Sequence, residues 1–451
     1  MANTKFASRI GLILATAGSA VGLGNIWRFP TTTGENGGAA FILVYIACTL
    51  LLGLPGMMSE FVVGRNAGTN SMRAYIKAGN RKSWGAIGVL GMICSIIILG
   101  FYSVVAGWCV YYLLLAVSDN VLGDAAAISS NFDNLVNNPW IPSLMSIVFI
   151  LLTHTIIIRG VRGGIEKASR LMMPMLFILL VVIIFASCSL PGAWRGVEFL
   201  FYPDFSKITG KVVFEALGQA FFSISLGTAC LCTYAAYFDD KVNLLRSSAQ
   251  IAAIDCGVAV MAGLMIFPAA FSVGVQPDAG PNLIFLTLPN VFTQAFPHGV
   301  AYGVAILFFS LLTLAALTST ISMHEIGTSL LSEELKIKRW HAATCITVIC
   351  CVIGILSALS MGPVPMGVMG KSLFSNFDAL TSNILLPTGA FLTSLVVGWV
   401  MPREAVVRQL ESYGQYKWMP WAVSVFYFLV RFVCPLGIAL TFLYQTGAVA
   451  L

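Results

Sequence analysis

Apolar residues run in blocks of about twenty along nearly the whole chain, separated by short polar connections, and this pattern predicts eleven bilayer-crossing helices. The expected spans are 9–30, 39–64, 85–116, 142–158, 165–186, 211–238, 246–274, 298–332, 340–360, 373–400 and 418–445. A further amphipathic stretch, Pro281–Phe296, lies between the seventh and eighth spans and is too short and too bounded by proline to cross. With the amino terminus placed inside, nineteen Lys and Arg fall in cytoplasmic loops and five on the other face. This is the positive-inside asymmetry, and one span more or fewer would invert every later loop.

Two spans depart from uniform apolarity. The first reads Ala17-Gly18-Ser19-Ala20-Val21-Gly22-Leu23-Gly24-Asn25, and the sixth reads Phe222-Ser223-Ile224-Ser225-Leu226-Gly227-Thr228-Ala229. Gly18 and Gly22 fit the spacing of close helix packing. However, Gly22, Gly24 and Asn25 fall within four residues, and an amide in hydrocarbon needs a partner, so the pattern favours a broken helix at Ser19–Gly24. The two breaks are five spans apart, as expected for two copies of a five-helix unit in inverted topology with the eleventh span appended.

Composition agrees with a lipid environment. The 451 residues are 58% hydrophobic and 10% charged, with a mean hydropathy of +0.88. A soluble surface needs roughly a quarter of charged residues. The net charge of +6 then reflects orientation in a membrane and gives no reason to expect a nucleic-acid partner. Most of the eleven cysteines sit inside apolar runs and read as small core residues, with no disulfide implied. The run after Arg9 lacks a small-residue cleavage site and reads as a retained helix, not a signal peptide.

Broken helices supply specific chemistry. Freed carbonyls can ligate a hard cation, and half-helix amino termini carry partial positive charge that suits a carboxylate. Few ionisable residues lie in or near the spans: Arg28, Glu35, Glu60, Asp255, Glu325, Asp378 and Arg431. Asp255 stands mid-span, as either a functional carboxylate or an acid hydrogen-bonded to a neighbouring helix. Hydroxyls cluster at Thr318-Ser319-Thr320 and Ser322, where most would merely bond back to their own helix.

These residues resemble the neurotransmitter:sodium symporter family, particularly its eleven-span prokaryotic carriers of hydrophobic or aromatic amino acids. The resemblance rests on Gly18-Ser19-Ala20-Val21-Gly22-Leu23-Gly24-Asn25-Ile26-Trp27-Arg28-Phe29-Pro30 and on Glu35-Asn36-Gly37-Gly38-Ala39-Ala40-Phe41. It continues through Phe101-Tyr102, Gln219-Ala220-Phe221-Phe222-Ser223, Thr233-Tyr234, Gly280-Pro281-Asn282-Leu283 and Leu317-Thr318-Ser319. It implies an all-α membrane protein with the LeuT-type 5+5 inverted repeat: one transporter domain over 1–451, with repeats at 9–186 and 211–400 and an extra helix at 418–445. It also implies the inner, plasma membrane of a prokaryote, an amino terminus in the cytoplasm, and sodium-coupled symport of a neutral amino acid by alternating access. Oligomeric state is left open.

Carried over residue by residue, the family pattern implies a first sodium site from the Ala20 carbonyl, Asn25, Ser223, Asp255 and the substrate carboxylate. A second would use the carbonyls of Gly18, Val21 and Ala315 with the hydroxyls of Thr318 and Ser319. All donors are oxygens, as a hard cation prefers. The substrate carboxylate would meet the amides near Leu23 and Gly24 and the Tyr102 hydroxyl. Its side chain would rest among Ile98, Phe222, Ser225, Thr228, Ser319 and Met323. Arg28 and Asp378 would form the outer gate, and Arg9 would pair with Glu333 at the inner gate, with Glu334 as the adjacent alternative.

Three departures sharpen this expectation. Asp255 stands where the family commonly has Asn, and Ala259 where chloride-dependent members have Ser, although Tyr45, Gln219 and Ser223 keep the rest of the chloride pattern. A built-in carboxylate could replace chloride in balancing sodium, so chloride independence is expected. Gly22 stands where monoamine carriers place Asp, which disfavours amines lacking a carboxylate. Thr228 and Ala229 replace a bulky aromatic and Gly, which enlarges the pocket toward Trp, Phe, Tyr, Leu or Met. The rivals are a sensor or channel on the same scaffold, a different zwitterionic substrate, or a multipass enzyme. Against an enzyme, His154, His298, His324 and His341 show no HExxH-like spacing.

Overall fold

The computed structural model describes residues 5–274, 283–362, 364, 366–368 and 370–446. All eleven expected spans are helical. Span 1 comprises Arg9–Ala20 and Gly24–Glu35, bent by 53° at the break. Spans 2 to 5 are Ala39–Ala67, Lys82–Val117, Ile141–Ile157 and Val161–Cys188. Span 6 comprises Gly210–Ser223 and Cys230–Ala235 around a non-helical segment. Spans 7 to 11 are Leu244–Ser272, His298–Glu334, Arg339–Met361, Leu373–Val400 and Pro420–Gln445. Eight of these helices are individually long and apolar enough to cross a membrane. The expected amphipathic stretch appears as Leu288–Ala295 after a wide turn at Leu283–Thr287. Its first two residues, Pro281 and Asn282, lie outside the described residues, as does most of the Gly280–Leu283 motif.

The loops hold short helices that the apolar pattern does not signal: Ser71–Gly79, Ala125–Asn137, Trp194–Phe201 and Arg403–Leu410, with a two-stranded hairpin at Gly367–Val368 and Lys371–Ser372.

Many spans contain one wide, π-type turn, and proline explains most of them. The turns at Gly24–Arg28, Thr49–Gly53, Leu283–Thr287, Thr381–Leu385 and Leu429–Val433 each end two residues before Pro30, Pro55, Pro289, Pro387 or Pro435. A proline donates no N–H and clashes with the carbonyl four residues back, so the preceding turn opens by one residue. The turns at Val161–Glu166 and Val396–Val400 instead contain Gly163-Gly164 and Gly398.

Spans 1 and 6 lie inside the bundle. The first half of span 1 packs on spans 5, 7 and 8, while both halves of span 6 pack on span 2. Spans 3, 4, 8 and 9 pack along one another as a second group. Within that group the fold brings together two histidines that are distant in sequence. Thr347 Oγ1 lies 2.9 Å from His324 Nε2 and 2.8 Å from His154 Nδ1. At the next position of span 8 after His324, buried Glu325 pairs with Arg339 and accepts from the Tyr237 hydroxyl at 2.7 Å.

The break in span 6 is held from outside itself. Ser225, Gly227 and Ala229 adopt positive φ angles of 55°, 84° and 60°, strained for the two non-glycine residues. Glu60 of span 2, fully buried, accepts from the Gly227 amide at 2.8 Å and the Cys232 amide at 3.2 Å. Lipid could not satisfy these groups, so the carboxylate takes the place of the missing helical acceptors. Gly227 also lies against the backbone of span 10, where a Cβ would sit 2.1 Å from the Leu386 carbonyl oxygen. Replacing Glu60 by Ala orphans two buried amides, at roughly 2–6 kcal/mol together. We expect Glu60→Ala to lower the melting temperature of the detergent-purified protein far more than Glu60→Gln, which keeps one acceptor oxygen. Equal melting of the two variants would contradict this role.

Candidate functional site

The two breaks face each other across a cavity. Span 1 unwinds at Val21–Leu23 after the helix end at Ala20, with Val21 extended and Gly22 supplying the flexible position. Its second half starts at Gly24, and the first amides of a helix have no carbonyl partner of their own. Ser225 of the span 6 break donates to the Ser19 carbonyl at 3.4 Å, joining the two unwound segments directly.

Beside this junction four buried residues from four spans converge. Asn25 Nδ2 donates to Asp255 Oδ1 at 2.7 Å, to the Asp255 carbonyl at 3.1 Å and to Ser223 Oγ at 3.2 Å. The Tyr45 hydroxyl donates to Asp255 Oδ2 at 3.0 Å. Ser223 Oγ lies 2.8 Å from each carboxylate oxygen. Asn25, Tyr45 and Asp255 have no solvent exposure. A carboxylate so placed is stable only when charge or hydrogen bonds compensate its lost hydration. Asp255 is thus hydrogen-bonded to three other spans, an arrangement compatible with both readings of it from sequence. Gln219 reaches the Gly24 carbonyl through Nε2 at 3.4 Å, while its Oε1 is buried without a hydrogen-bond partner among the described residues. Ala259 is fully buried and offers no polar atom there.

A second oxygen cluster forms where span 8 meets the first break. Thr318 Oγ1 lies 3.1 Å from the Val21 carbonyl and 2.9 Å from that of Ala315, and Ser319 Oγ lies 3.4 Å from the Val21 carbonyl. Gly18 joins them, since a Cβ there would touch the Thr318 Cβ at 3.4 Å. The carboxylate, hydroxyl and carbonyl oxygens of the two sets are of the kind that suits an alkali cation, with Asn25 turning its Nδ2 into the first and Met173 Sδ lying beside Gly18 in the second.

The cavity between the breaks is lined by Ala20, Gly24, Ile98, Tyr102, Phe222, Ser225, Thr228, Ser319 and Met323, all expected from sequence. Leu23 is the exception: it contributes its amide, which donates to the Tyr102 hydroxyl at 3.2 Å, and does not line the wall. Ser19, Gly22, Ser223, Cys230, Ser322 and Leu386 complete the lining. Ser19, Cys230 and Ser322 adjoin expected residues on the same segments. Leu386 comes from span 10, and its only sequence signal is the neighbouring Pro387 that widens the helix before it. Gly22 has no room for a side chain, because a Cβ would come within 2.3 Å of Ser319 Oγ.

The expected gates are placed differently. Arg28 does not pair with Asp378: its guanidinium lies over the Phe222 ring, 4.2 Å from the centroid, and Asp378 accepts from Ser382 at 3.1 Å. At the opposite end Arg9 is exposed and does not reach Glu333. Glu333 instead accepts from Thr69 Oγ1 at 2.6 Å and the Asn70 amide at 3.0 Å, and Glu334 pairs with Arg73 at 2.6 Å. The loop after span 2 therefore takes up both acids. The amino terminus is secured by Glu166 of span 5, which sequence reasoning missed. It accepts from the Ala7 amide at 2.7 Å and Ser8 Oγ at 2.8 Å, and Gly11 has no side chain because a Cβ would overlap this carboxylate. Phe6 packs edge-on against Tyr234 and Tyr237 beside it. Glu166 sits in the first turns of span 5 among the basic residues Arg162, Lys167 and Arg170, where its burial has no periodic signature.

Paired helix breaks that gather carbonyls, hydroxyls and a carboxylate beside one central cavity mark a transporter of the LeuT fold, an integral membrane protein that carries a small molecule. The chain belongs to the sodium:neurotransmitter symporter family, whose sequence profile matches residues 3–140 and 122–449. YhdH of Bacillus subtilis (strain 168), described as an uncharacterized sodium-dependent transporter, is 38% identical over 445 residues, 98% of each chain. The sodium- and chloride-dependent taurine transporter of Bos taurus is 26% identical over 92% of this chain and 74% of its own. The crystal structure of MhsT in complex with L-phenylalanine superposes with a TM-score of 0.89 at 35% identity, covering 98% of this chain and 100% of that one. The protein is thus a sodium-dependent transporter of this family.

A side chain at Gly22 must displace Ser319 and Tyr102 from the cavity wall, a strain of typically 1–3 kcal/mol. We expect Gly22→Ala to weaken sodium-dependent substrate binding by roughly tenfold or more and to lower the melting temperature without substrate only modestly, by the strain itself. Unchanged binding would show that the break does not border the substrate.

Proposed function

We propose that this protein imports a large hydrophobic or aromatic L-amino acid together with sodium, by alternating access and without chloride. The observation that carries the reading is the position of the apolar part of the cavity, formed by Ile98, Phe222, Met323 and Leu386, beside two oxygen clusters built on the helix breaks. A zwitterion needs both environments: cations and amide dipoles for its carboxylate, and an apolar recess for its side chain. The phenylalanine bound to MhsT, a protein so similar over its whole length, supports the same substrate class.

In this reading one sodium ion binds the Ala20 carbonyl, Asn25, Ser223, Asp255 and the substrate carboxylate. The second binds the carbonyls of Gly18, Val21 and Ala315 and the hydroxyls of Thr318 and Ser319. The substrate carboxylate meets the amides near Leu23 and Gly24 and the Tyr102 hydroxyl, and Ser225 and Thr228 border its side chain. Closure outside moves Arg28 from Phe222 toward Asp378. Opening inside releases the amino-terminal segment from Glu166 and the aromatic cluster around Phe6. The moving parts are the two inverted repeats, 9–186 and 211–400, in the single domain. The amino terminus lies in the cytoplasm of a prokaryote and the protein in its inner membrane, in line with the distribution of Lys and Arg. The membrane potential adds about 2.3 kcal/mol per charge per 100 mV to the driving force.

Chloride independence rests on Asp255. A fixed carboxylate touching Asn25, Ser223 and Tyr45 carries the negative charge that balances sodium in a site of low dielectric. Chloride-dependent relatives borrow that charge from solution.

Two measurements test these claims. Uptake of labelled phenylalanine into proteoliposomes is expected to require sodium and to persist when gluconate replaces chloride. Asp255→Asn should reduce uptake in gluconate roughly tenfold or more, with recovery when chloride is restored. Loss of wild-type uptake in gluconate overturns the chloride claim. In competition binding, tryptophan, phenylalanine and leucine should displace a labelled ligand better than glycine or GABA, and the reverse order overturns the assignment of the pocket.

A further inference from the structure

At the crossing of spans 10 and 11, two arginines meet at one tyrosine without an acidic partner. Arg403 and Arg431 place their guanidinium carbons 5.6 and 4.9 Å from the Tyr427 ring centroid, and Arg431 also lies 5.3 Å from that of Trp399. Among the described residues the ion pairs are Arg73 with Glu334, Arg339 with Glu325 and His298 with Asp119, so neither arginine belongs to one. Arg431 Nε donates to the Gly398 carbonyl, within the wide turn of span 10, and its terminal nitrogens make no hydrogen bond among the described residues. Arg403 is exposed and makes none. The Tyr427 hydroxyl is buried, at 7% residue exposure, and also lacks a partner among the described residues. The surface cleft that Arg403 shares with Glu404 and Glu411 does not include Tyr427.

A cation held against a transmembrane segment without a counter-charge is costly, and so is a buried hydroxyl without a hydrogen bond. One ligand removes both costs: an anionic phosphodiester that accepts from the two guanidinium groups and from the Tyr427 hydroxyl. The surroundings say that the phosphodiester comes from a lipid. Trp399, Phe428 and Phe432 flank the site and are each more than half exposed, as lipid-facing aromatic residues are. Farther along the same seam, Pro387, Phe391, Leu392, Ile438 and Phe442 line an apolar groove between spans 10 and 11. Ile438 follows Arg431 by seven residues, about 10 Å along a helix, a distance that an acyl chain covers easily. The head group would lie on the face that carries the basic loops, where the inner leaflet presents anionic lipid.

We propose that the seam between spans 10 and 11 is a binding site for an anionic phospholipid, with its phosphate at Arg403, Arg431 and Tyr427 and an acyl chain in the groove toward Ile438. Bound lipid ties span 11 to span 10, the helix that also contributes Leu386 to the central cavity.

The test is native mass spectrometry of the full-length protein released from detergent in the presence of phosphatidylglycerol, phosphatidylethanolamine or phosphatidylcholine. Phosphatidylglycerol should be retained in preference to the other two. Arg403→Gln and Arg431→Gln should each weaken its retention about fivefold, as expected for one basic residue at an anionic surface. Because Arg431→Gln also removes the hydrogen bond to Gly398, Arg403→Gln and Tyr427→Phe carry the test if that variant does not fold. Sodium-dependent thermal stabilisation by phenylalanine should be unchanged in Arg403→Gln. Equal retention of the three lipids, undiminished retention by the Arg403→Gln and Tyr427→Phe proteins, or displacement of the lipid by excess glycerol phosphate would each overturn the proposal.

Discussion

A backbone that leaves the helix inside a bilayer must find all of its hydrogen-bond partners within the protein. Spans 1 and 6 both do this, and much of the surrounding structure follows from the need. Glu60 supplies acceptors to the amides of Gly227 and Cys232. Thr318 and Ser319 meet the freed carbonyl of Val21, and Asn25 accepts from the Gly22 amide at 3.1 Å. The buried polar residues around the cavity therefore have a structural duty before they have a functional one. The Val21 carbonyl and the Thr318 and Ser319 hydroxyls that complete the first break are also the oxygens that the proposed second sodium ion would use, while amides freed at the break would meet a carboxylate. This is why the breaks are stable and reactive together.

Asp255 takes the demand one step further. Its carboxylate is buried among Asn25, Tyr45 and Ser223, and hydrogen bonds from neutral groups offset only part of what water would have supplied. In the proposed sodium site a bound cation would complete the compensation, and folding and sodium affinity would then draw on the same carboxylate. Gln219, whose buried Oε1 lacks a partner among the described residues, lies beside the first break, and Ala259, one turn from Asp255 along span 7, has no polar side-chain atom.

At its two ends the molecule closes unequally. The amino-terminal segment is pinned by Glu166 and by aromatic packing of Phe6, while Arg28 rests on Phe222 apart from Asp378. A guanidinium over an aromatic face gains on the order of 1 kcal/mol. Such a contact can be exchanged for an ion pair without rearranging the core. The acids at the end of span 8, by contrast, accept several hydrogen bonds from the loop after span 2, and no such economy exists for moving them to Arg9.

The amino-acid sequence by itself determined the eleven spans and the two breaks, which depend on residue type and short spacing: apolar length, and glycine and asparagine within four positions. Most of the cavity lining was legible only through the resemblance to the family. Proline positions would also have located five of the wide turns, since the cause is the missing N–H of the residue itself. What only the tertiary structure decided were the partners of charged residues. Arg9 was matched to Glu333 from sequence and is exposed, Glu166 was not considered and holds the amino terminus, and His154 and His324 meet through Thr347. A charge has no periodicity, and its partner depends on which helices pack together and how far each side chain reaches. Those distances arise from packing across the bundle, where residues more than a hundred positions apart become neighbours.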